Sequence, residues 1–426
     1  MSGHVLHMNK QKRVIEKKPK PRKANVNTEI EKASSIAEFY GFVETPEFSI
    51  EKEDIQKSKS FRESSMKDFL PFAEQRSNFY TFVEERVSLM RNFFDRKFSH
   101  LSQPVSVFYQ APKEGNSHSH ESRHRNEHCF CLDMVGNSKS IADATIIETT
   151  YIILSELYPK KELRLALNSV GDRESSNRFS RELTNYYKKN WSSLPAHCKA
   201  LFKKDVFEII RCKDESCLAF HQEAPHSINF LSEQSRKQFK EVLEYIEMLN
   251  IPYVLDHTLL GNKHIASGTV FEVVEDVPNG DGVLAFGERY NCLMKKAWGK
   301  KEVPAIGSVL RLKQGEHTEK DSIQAKKPSK NSKFSFYFIQ LSFDAKLKSL
   351  AVIEIMRKAN IPVFQSLAKD KFGVQIIHAE KMKATHLLIM GKKEAMENSV
   401  VVRDMVTRAQ ETIIIDTLPE YLKKLK

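Results

Sequence analysis

The chain has 426 residues, too many for one small core, so two or three domains are expected. Hydrophobic residues make up 40% and charged residues 29%, which excludes a disordered chain and, with no apolar run of the roughly 20 residues a bilayer span needs, a membrane protein. The formal charge of +12 and a pI of about 9.2 favour a polyanionic partner, nucleic acid first.

The first 24 residues lack the continuous apolar stretch of a secretory signal. Six cysteines (Cys129, Cys131, Cys198, Cys212, Cys217, Cys292) are too scattered for a disulfide framework and are expected to be reduced thiols. Both features point to a cytoplasmic protein.

Residues 1–33 read as a basic, disordered arm. Between Lys10 and Lys23 the only acid is Glu16, and such a segment buries too little apolar surface to order itself. Its lysines and arginines could meet phosphates, or could simply solubilise the chain.

Helical spacing follows at Phe79–Phe98, then a strand-type run at Val105–Tyr109. His118, His120, His124 and His128 crowd together with Cys129 and Cys131, but without the separated ligand pairs of a structural zinc site. Alternation along a strand would in any case send Cys129 and Cys131 to one face and His128 to the other, so a polar loop is the better reading. A helix is expected at Ile141–Leu157 and a strand at Leu163–Asn168, ending in a turn at Gly171 with Asp172 as the cap of the next helix. Cys212 and Cys217 suggest half a zinc site with His221 and His226; packing inside a small helical unit is preferred, and no metal is assigned.

Ser232–Leu249 has amphipathic helical spacing, and Ser267–Val274 and Gly282–Phe286 read as strands. Polar, Lys-rich residues 313–333, broken by Pro328, form a linker. Beyond it, strands at Phe336–Leu341, Ile361–Phe364, His386–Met390 and Val400–Arg403 alternate with helices at Lys346–Lys358 and Phe372–Met382, the pattern of a small α/β domain. The expected organisation is an arm (1–33), an α+β core on a largely antiparallel sheet (34–312, with a helical insertion at about 172–252), a linker (313–333) and an α/β domain (334–426).

Several stretches carry a resemblance. LRLALNSVGDRESSNRF at Leu163–Phe179, the segment Arg211–Tyr253, SGTVFEVVED at Ser267–Asp276, FGERYNCL at Phe286–Leu293, PAIGSVLRL at Pro304–Leu312 and VVVRDMVTRAQETIIIDTLPEYL at Val400–Leu422 are similar, in order, to histidyl-tRNA synthetases. The likeness runs from about Tyr40 to the C-terminus. It implies a class II synthetase-like core of antiparallel sheet and helices with a C-terminal anticodon-binding-type domain. It also implies a homodimer, with tRNA, histidine and ATP as ligands and Mg²⁺ beside ATP if the chain is active.

Carried over by residue, the resemblance makes Arg123, Arg125, Glu127 and Asp133 substrate or nucleotide contacts from motif 2. Arg289 and Tyr290 fall in the Gly-Gly-Arg-Tyr-Asp element. Arg311 is the motif 3 arginine if a short deletion shifts the alignment; otherwise Gln314 stands there. Lys392, Lys393, Arg403 and Gln410 become tRNA contacts.

Other family residues are missing. Glu114-Gly115-Asn116-Ser117 replaces Phe-Arg-x-Glu, Cys129 replaces a Gln, and Gly261-Asn262-Lys263-His264-Ile265-Ala266 stands where Arg-Gly-Leu-Asp-Tyr-Tyr belongs. The Arg-Pro-Glu-x-Thr element is unrecognisable near Phe69–Ala73. Each lost charged contact would cost roughly 2 to 4 kcal/mol at the transition state. The expectation is therefore a synthetase-like protein that binds tRNA or a related RNA with a degenerate adenylation site. An active, divergent histidine-tRNA ligase and a non-catalytic regulatory subunit or amino-acid sensor are the alternatives.

Overall fold

The computed structural model describes residues 28–45, 49–61, 82–98, 101, 103–111, 127–210, 212, 214–277, 280–313 and 335–425. Most of the basic arm, the histidine-rich segment up to Arg125, the region Phe69–Ala73 and the linker beyond Lys313 lie outside these residues. The helices are α1 (Thr28–Phe39), α2 (Lys52–Ser58), α3 (Val83–Phe94), α4 (Ser140–Leu157), α5 (Arg173–Lys189), α6 (Ala196–Lys204), α7 (Val206–Ile210) and α8 (Glu215–Gln222). They continue with α9 (Glu233–Met248), α10 (Leu293–Trp298), α11 (Phe343–Lys358), α12 (Phe372–Lys381), α13 (Lys392–Met396) and α14 (Leu418–Leu425).

Strands β1 (Val43–Glu44), β2 (Val105–Gln110), β3 (Glu127–Val135), β4 (Leu163–Ser169), β5 (Tyr253–Leu255), β6 (Thr269–Val277), β7 (Gly280–Arg289) and β8 (Ala305–Lys313) build one sheet in the order β1-β2-β3-β8-β7-β6-β4-β5. Neighbours run antiparallel except at its two ends, where β1 pairs with β2 and β4 with β5 in parallel. Side chains alternate between faces. Phe130, Leu132, Leu165, Leu167, Phe271, Val273, Ala285, Ile306 and Leu310 share one face, and α4 lies across it.

Helix α4 is apolar nearly all round because it is buried between the sheet and helices α1 and α9. Its threonines find partners within the core. Thr145 and Thr149 donate to the carbonyls of Ile141 and Thr145 at 2.7 Å, and Thr150 meets Ser308 of β8 at 2.7 Å. Helix α1 begins at Thr28, so the expected arm ends earlier than residue 33. Ile30, Ala33, Ile36 and Ala37 recur at helical spacing and pack on this core, which gives the segment the apolar burial it was thought to lack.

Helices α5 to α8 form a separate small core between β4 and α9, built on Phe179, Leu183, Tyr187, Leu201, Ile209 and three cysteines. Asp172 caps α5 as expected, accepting from the Ser175 backbone at 2.8 Å. Ser232 caps α9 in the same way.

The C-terminal sheet comprises β9 (Phe336–Gln340), β10 (Val363–Gln365), β11 (His386–Met390), β12 (Ser399–Asp404) and β13 (Gln410–Ile414), in the order β10-β9-β11-β12-β13. Its first half is parallel, as the βαβ pattern requires, but the expected strand at Val400–Arg403, β12, is followed in a hairpin by an unexpected antiparallel partner, β13. Its turn passes through Arg408 at φ 64°, and only five residues separate the strands, too short a gap to register as an element boundary. The two domains touch. Tyr40 donates to Glu354 of α11 at 2.8 Å, and Arg357 of α11 pairs with Glu156 of α4.

One buried ion pair locks α4 to the sheet. Arg289 of β7 points to the helix-covered face, where its guanidinium holds Asp143 through several hydrogen bonds and also donates to the carbonyls of Asn137 and Lys139. Asp143→Ala leaves that arginine charged in the interior and is expected to destabilise the protein by about 3 to 5 kcal/mol. Urea unfolding checks this, and a loss under about 1 kcal/mol would show the pair to be dispensable.

Candidate functional site

The face of the sheet opposite α4 carries the charged groups. Strand register sets Val107, Asp133, Gly307, Glu288, Val270 and Asn168 side by side in one row across β2, β3, β8, β7, β6 and β4. The adjacent row is Tyr109, Cys131, Val309, Phe286, Glu272 and Ala166. Three carboxylates thus stand on one surface, and all three residues are buried. Gly307 makes room for the first of them. A Cβ there would lie 1.8 Å from Asp133 Oδ1, so only glycine fits between Asp133 and Glu288.

Arg86, in the first turn of α3, answers these charges. It is buried, forms an ion pair with Glu288 and stacks its guanidinium 4.8 Å from the centre of the Tyr290 ring. Glu288 uses its other oxygen to accept from the Asn262 backbone at 2.8 Å. Asp133 accepts from Tyr290 Oη at 2.6 Å and from Tyr109 Oη at 3.0 Å. Burial works against the Arg86 charge, but Glu288 and Asp133 hold it protonated. Burial pushes the Asp133 carboxyl up from 3.8 to about 6, although the Arg86 charge and both tyrosine hydroxyls pull the other way. The same burial raises the Tyr109, Tyr290 and Cys131 groups well above their ordinary values, leaving all three neutral.

The loop between β5 and β6 lies over this face. Asn168 donates to the Leu259 carbonyl at 2.8 Å, and Asn262 donates to the Phe61 carbonyl at 3.0 Å. Leu259 and Phe82 pack with Tyr109, Val270, Phe286 and Val309 in one apolar cluster. Gly261 turns the loop at φ 67°, and a Cβ on it would come within 2.7 Å of Glu288 Oε2 and 2.9 Å of Ala266. A larger residue there meets both a strained backbone and an occupied space.

The expected site residues separate into groups. Asp133 and Tyr290 lie together and hydrogen-bond each other. Arg311 is on the same face of β8, opposite Cys129, two positions beyond Val309. Glu127 opens β3 opposite Lys313. Arg289 faces the other way, toward Asp143, because neighbouring residues of a strand point to opposite sides. Arg123 and Arg125 lie outside the described residues. The alternation expected for His128, Cys129 and Cys131 holds: both cysteines join the apolar cluster of the charged face. His118, His120 and His124 are outside the described residues.

Two residues of this buried network escaped the sequence reading. Arg86 was signalled by the run Glu84-Glu85-Arg86 at the start of an otherwise apolar helix. Glu288 was signalled by its place two residues beyond Phe286 on an alternating strand. Two of the three carboxylates on this face are therefore already engaged by the protein itself. Glu288 is engaged by Arg86 and Asn262, and Asp133 by two tyrosines. A groove lined by Ser140, Glu241, Tyr245, Gln340, Phe343 and Lys346 opens on the helical side instead, away from these carboxylates.

The cysteine pair of the insertion has different partners from those expected. His221 Nε2 donates to the Cys212 carbonyl at 2.8 Å and its Nδ1 lies 3.3 Å from Tyr187 Oη, while His226 stacks on His257. Cys212 and Cys217 instead face Cys198 and His197.

In the C-terminal domain, Arg403 and Gln410 are direct cross-strand partners on β12 and β13, with Leu387 of β11 on the other side of Arg403. Thr412 and the half-exposed Ile414 continue along the same face of β13. Lys392 and Lys393 begin α13, beyond the far end of β11 and five or more residues from Leu387 of that row, about 16 Å at strand rise. The four residues do not form one patch.

Residues 337–425 match the anticodon binding domain family. Over 351 residues the chain is 23% identical to the histidine–tRNA ligase of Staphylococcus saprophyticus, covering 80% of this chain and 81% of that protein. Over 404 residues it is 24% identical to the histidine–tRNA ligase of Dehalococcoides mccartyi, covering 92% and 94%. The crystal structure of apo S. aureus histidyl-tRNA synthetase covers 92% of this chain and 94% of its own, at 19% identity and a TM-score of 0.49. No helix among the described residues is long and apolar enough to cross a membrane.

Asp133 provides a pH test of the buried network. The native state keeps this carboxyl protonated to a higher pH than the unfolded chain does, so it binds the extra proton between its unfolded value of 3.8 and about 6. Stability from this group is therefore greatest below that window and falls as pH rises through it. Compared with Asp133→Asn, the unchanged protein is expected to lose roughly 3 kcal/mol between about pH 4 and pH 7. Urea titrations of both proteins across that range check it, and a pH-independent difference would refute the buried assignment.

Proposed function

We propose that this chain, a relative of the histidine–tRNA ligases that ends in an anticodon-binding domain, holds tRNA or a related RNA and no longer performs efficient histidine adenylation. The observation that carries the reading is the closed state of Asp133 and Glu288. Adenylation requires preorganised groups whose charges are reserved for the substrate and transition state. Here Glu288 is paired with the protein's own Arg86, and Asp133 accepts hydrogen bonds from Tyr109 and Tyr290. The position at which the related ligases carry an arginine is Gly261, where the backbone and Glu288 leave no space for a side chain. Arg311 is a basic residue on the same face that a nucleotide could meet.

RNA binding rests on other parts of the chain. Arg403 and Gln410 stand side by side, a cation for phosphate next to an amide that reads base edges, and the half-exposed Ile414 offers apolar surface beside them. The basic stretch from Lys10 to Lys23 adds a sequence-independent attraction. The reading includes a homodimer in the cytoplasm, and light scattering that gives a monomer at micromolar concentration would count against the dimer.

Histidine-dependent exchange of pyrophosphate into ATP is expected to be absent or very slow. Robust exchange would overturn the degenerate-site reading in favour of an active ligase. In filter binding across a salt series, affinity for tRNA should fall log-linearly with salt. Removing residues 1–24 should flatten that slope, whereas Arg403→Ala or Gln410→Ala should alter preference among tRNAs more than slope. No binding even at low salt would exclude the RNA reading and leave a regulatory subunit or amino-acid sensor.

A further inference from the structure

We propose that His197, Cys198, Cys212 and Cys217 form a structural zinc site of the Cys₃His type in the helical insertion. Their ligand atoms all lie within 4.8 Å of one another. Cys212 Sγ is 3.6 Å from Cys217 Sγ, and His197 Nε2 is 3.2 Å from Cys217 Sγ. A tetrahedral zinc with Zn–S near 2.3 Å sets its sulfurs about 3.8 Å apart, so the donors already surround a zinc-sized centre. The sulfur spacing is far beyond the roughly 2.05 Å of a disulfide, and all three cysteines are free.

The donors come from three places in the chain that only the fold unites. His197 and Cys198 sit in the first turn of α6, Cys212 follows α7, and Cys217 is in the first turn of α8. Cys212 and Cys217 have the four-residue spacing of a common zinc ligand pair. The three thiols are buried, while His197 stays at the surface and closes the site. His197 Nε2 lies closer to the Cys217 sulfur, at 3.2 Å, than to its other neighbour Asp214 Oδ2, at 3.9 Å. The first turns of α6 and α8 also favour thiolate charge.

On binding, each of the three thiols releases one proton to water, and the ion accepts three thiolates and the neutral imidazole. No position is left open for a substrate, so the role is structural. The site joins α6, α7 and α8 at the centre of a small core that includes Tyr187, Leu201 and Ile209. Metal binding energy then becomes folding energy for that unit.

Elemental analysis of the full-length protein, purified without a chelating resin from zinc-supplemented medium, tests the site. About one zinc per chain is expected, as for a single closed site. Cys198→Ser and Cys212→Ser should lose it, while Cys292→Ser, outside the cluster, should keep it. Cobalt in place of zinc should give thiolate charge-transfer absorption with tetrahedral visible bands. If the serine variants do not fold, titrating the unchanged protein with a mercurial thiol reagent decides the matter, because zinc should leave as the cluster thiols react. A protein that carries no zinc and shows no cobalt charge transfer overturns the proposal, as does zinc that persists in both serine variants or after every thiol has reacted.

Discussion

Arg86 and Glu288 meet where neither reaches water, and that condition governs everything around them. An unpaired charge there would cost several kcal/mol, so the arginine must be held in place and the carboxylate must have its remaining oxygen filled. The loop at Asn262 fills it, Tyr290 lies under the guanidinium, and the same tyrosine reaches on to Asp133. Gly307 and Gly261 are consequences of this crowding, since a side chain at either would displace a carboxylate oxygen. On this face of the sheet Arg86, Glu288, Asp133, Tyr109 and Tyr290 form a network whose members partner one another. Removing any one member would strand another.

The opposite face follows a simpler rule. Alternation sends the apolar residues of β3, β6, β7 and β8 under α4, and a helix buried on every side can keep threonines only by turning their hydroxyls to its own carbonyls or to Ser308. At its start α4 carries Asp143, which anchors β7 through Arg289. At its end it carries Glu156, which anchors the C-terminal domain through Arg357. One helix therefore links the two sheets. Burial and the nearby Glu354 keep Glu148 well above the usual carboxylate range beside Tyr40, so this junction joins a neutral group to a paired one. An RNA held on the β12–β13 hairpin would meet a domain fixed to the core rather than one swinging on a linker.

The insertion shows a different solution to limited core size. Helices α5 to α8 share few apolar residues with the main sheet and cluster around Tyr187, Cys198 and Cys217. A unit this small gains little from hydrophobic burial alone, and a metal staple is the kind of supplement such units use. Its position between β4 and α9 places it next to the loop that lies over the charged face, with Ser227 hydrogen-bonded to Asn168 and Ser169.

Much was legible in the sequence where local rules decide the outcome. Strong periodicity located α4, α9 and most strands to within a few residues, and Asp172 announced its cap because a side-chain oxygen three residues before a backbone N–H is enough to make one. The period-two rule also separated Cys129 and Cys131 from His128. Strand β13, the partner of the expected β12, and the early start of α1 were not seen, because each depends on what the segment packs against rather than on its own composition. The site was less legible still. Arg289 and Tyr290 are adjacent in the chain yet serve opposite faces, and Arg86, Asp133 and Glu288 are joined only by strand register. His197 and Cys217 likewise meet only after three helices turn back on one another. The sequence determined which segments form helices and strands, since that is settled within a few residues. The tertiary structure alone decided which charges and thiols meet, because those contacts depend on the order in which the strands pair and the helices stack.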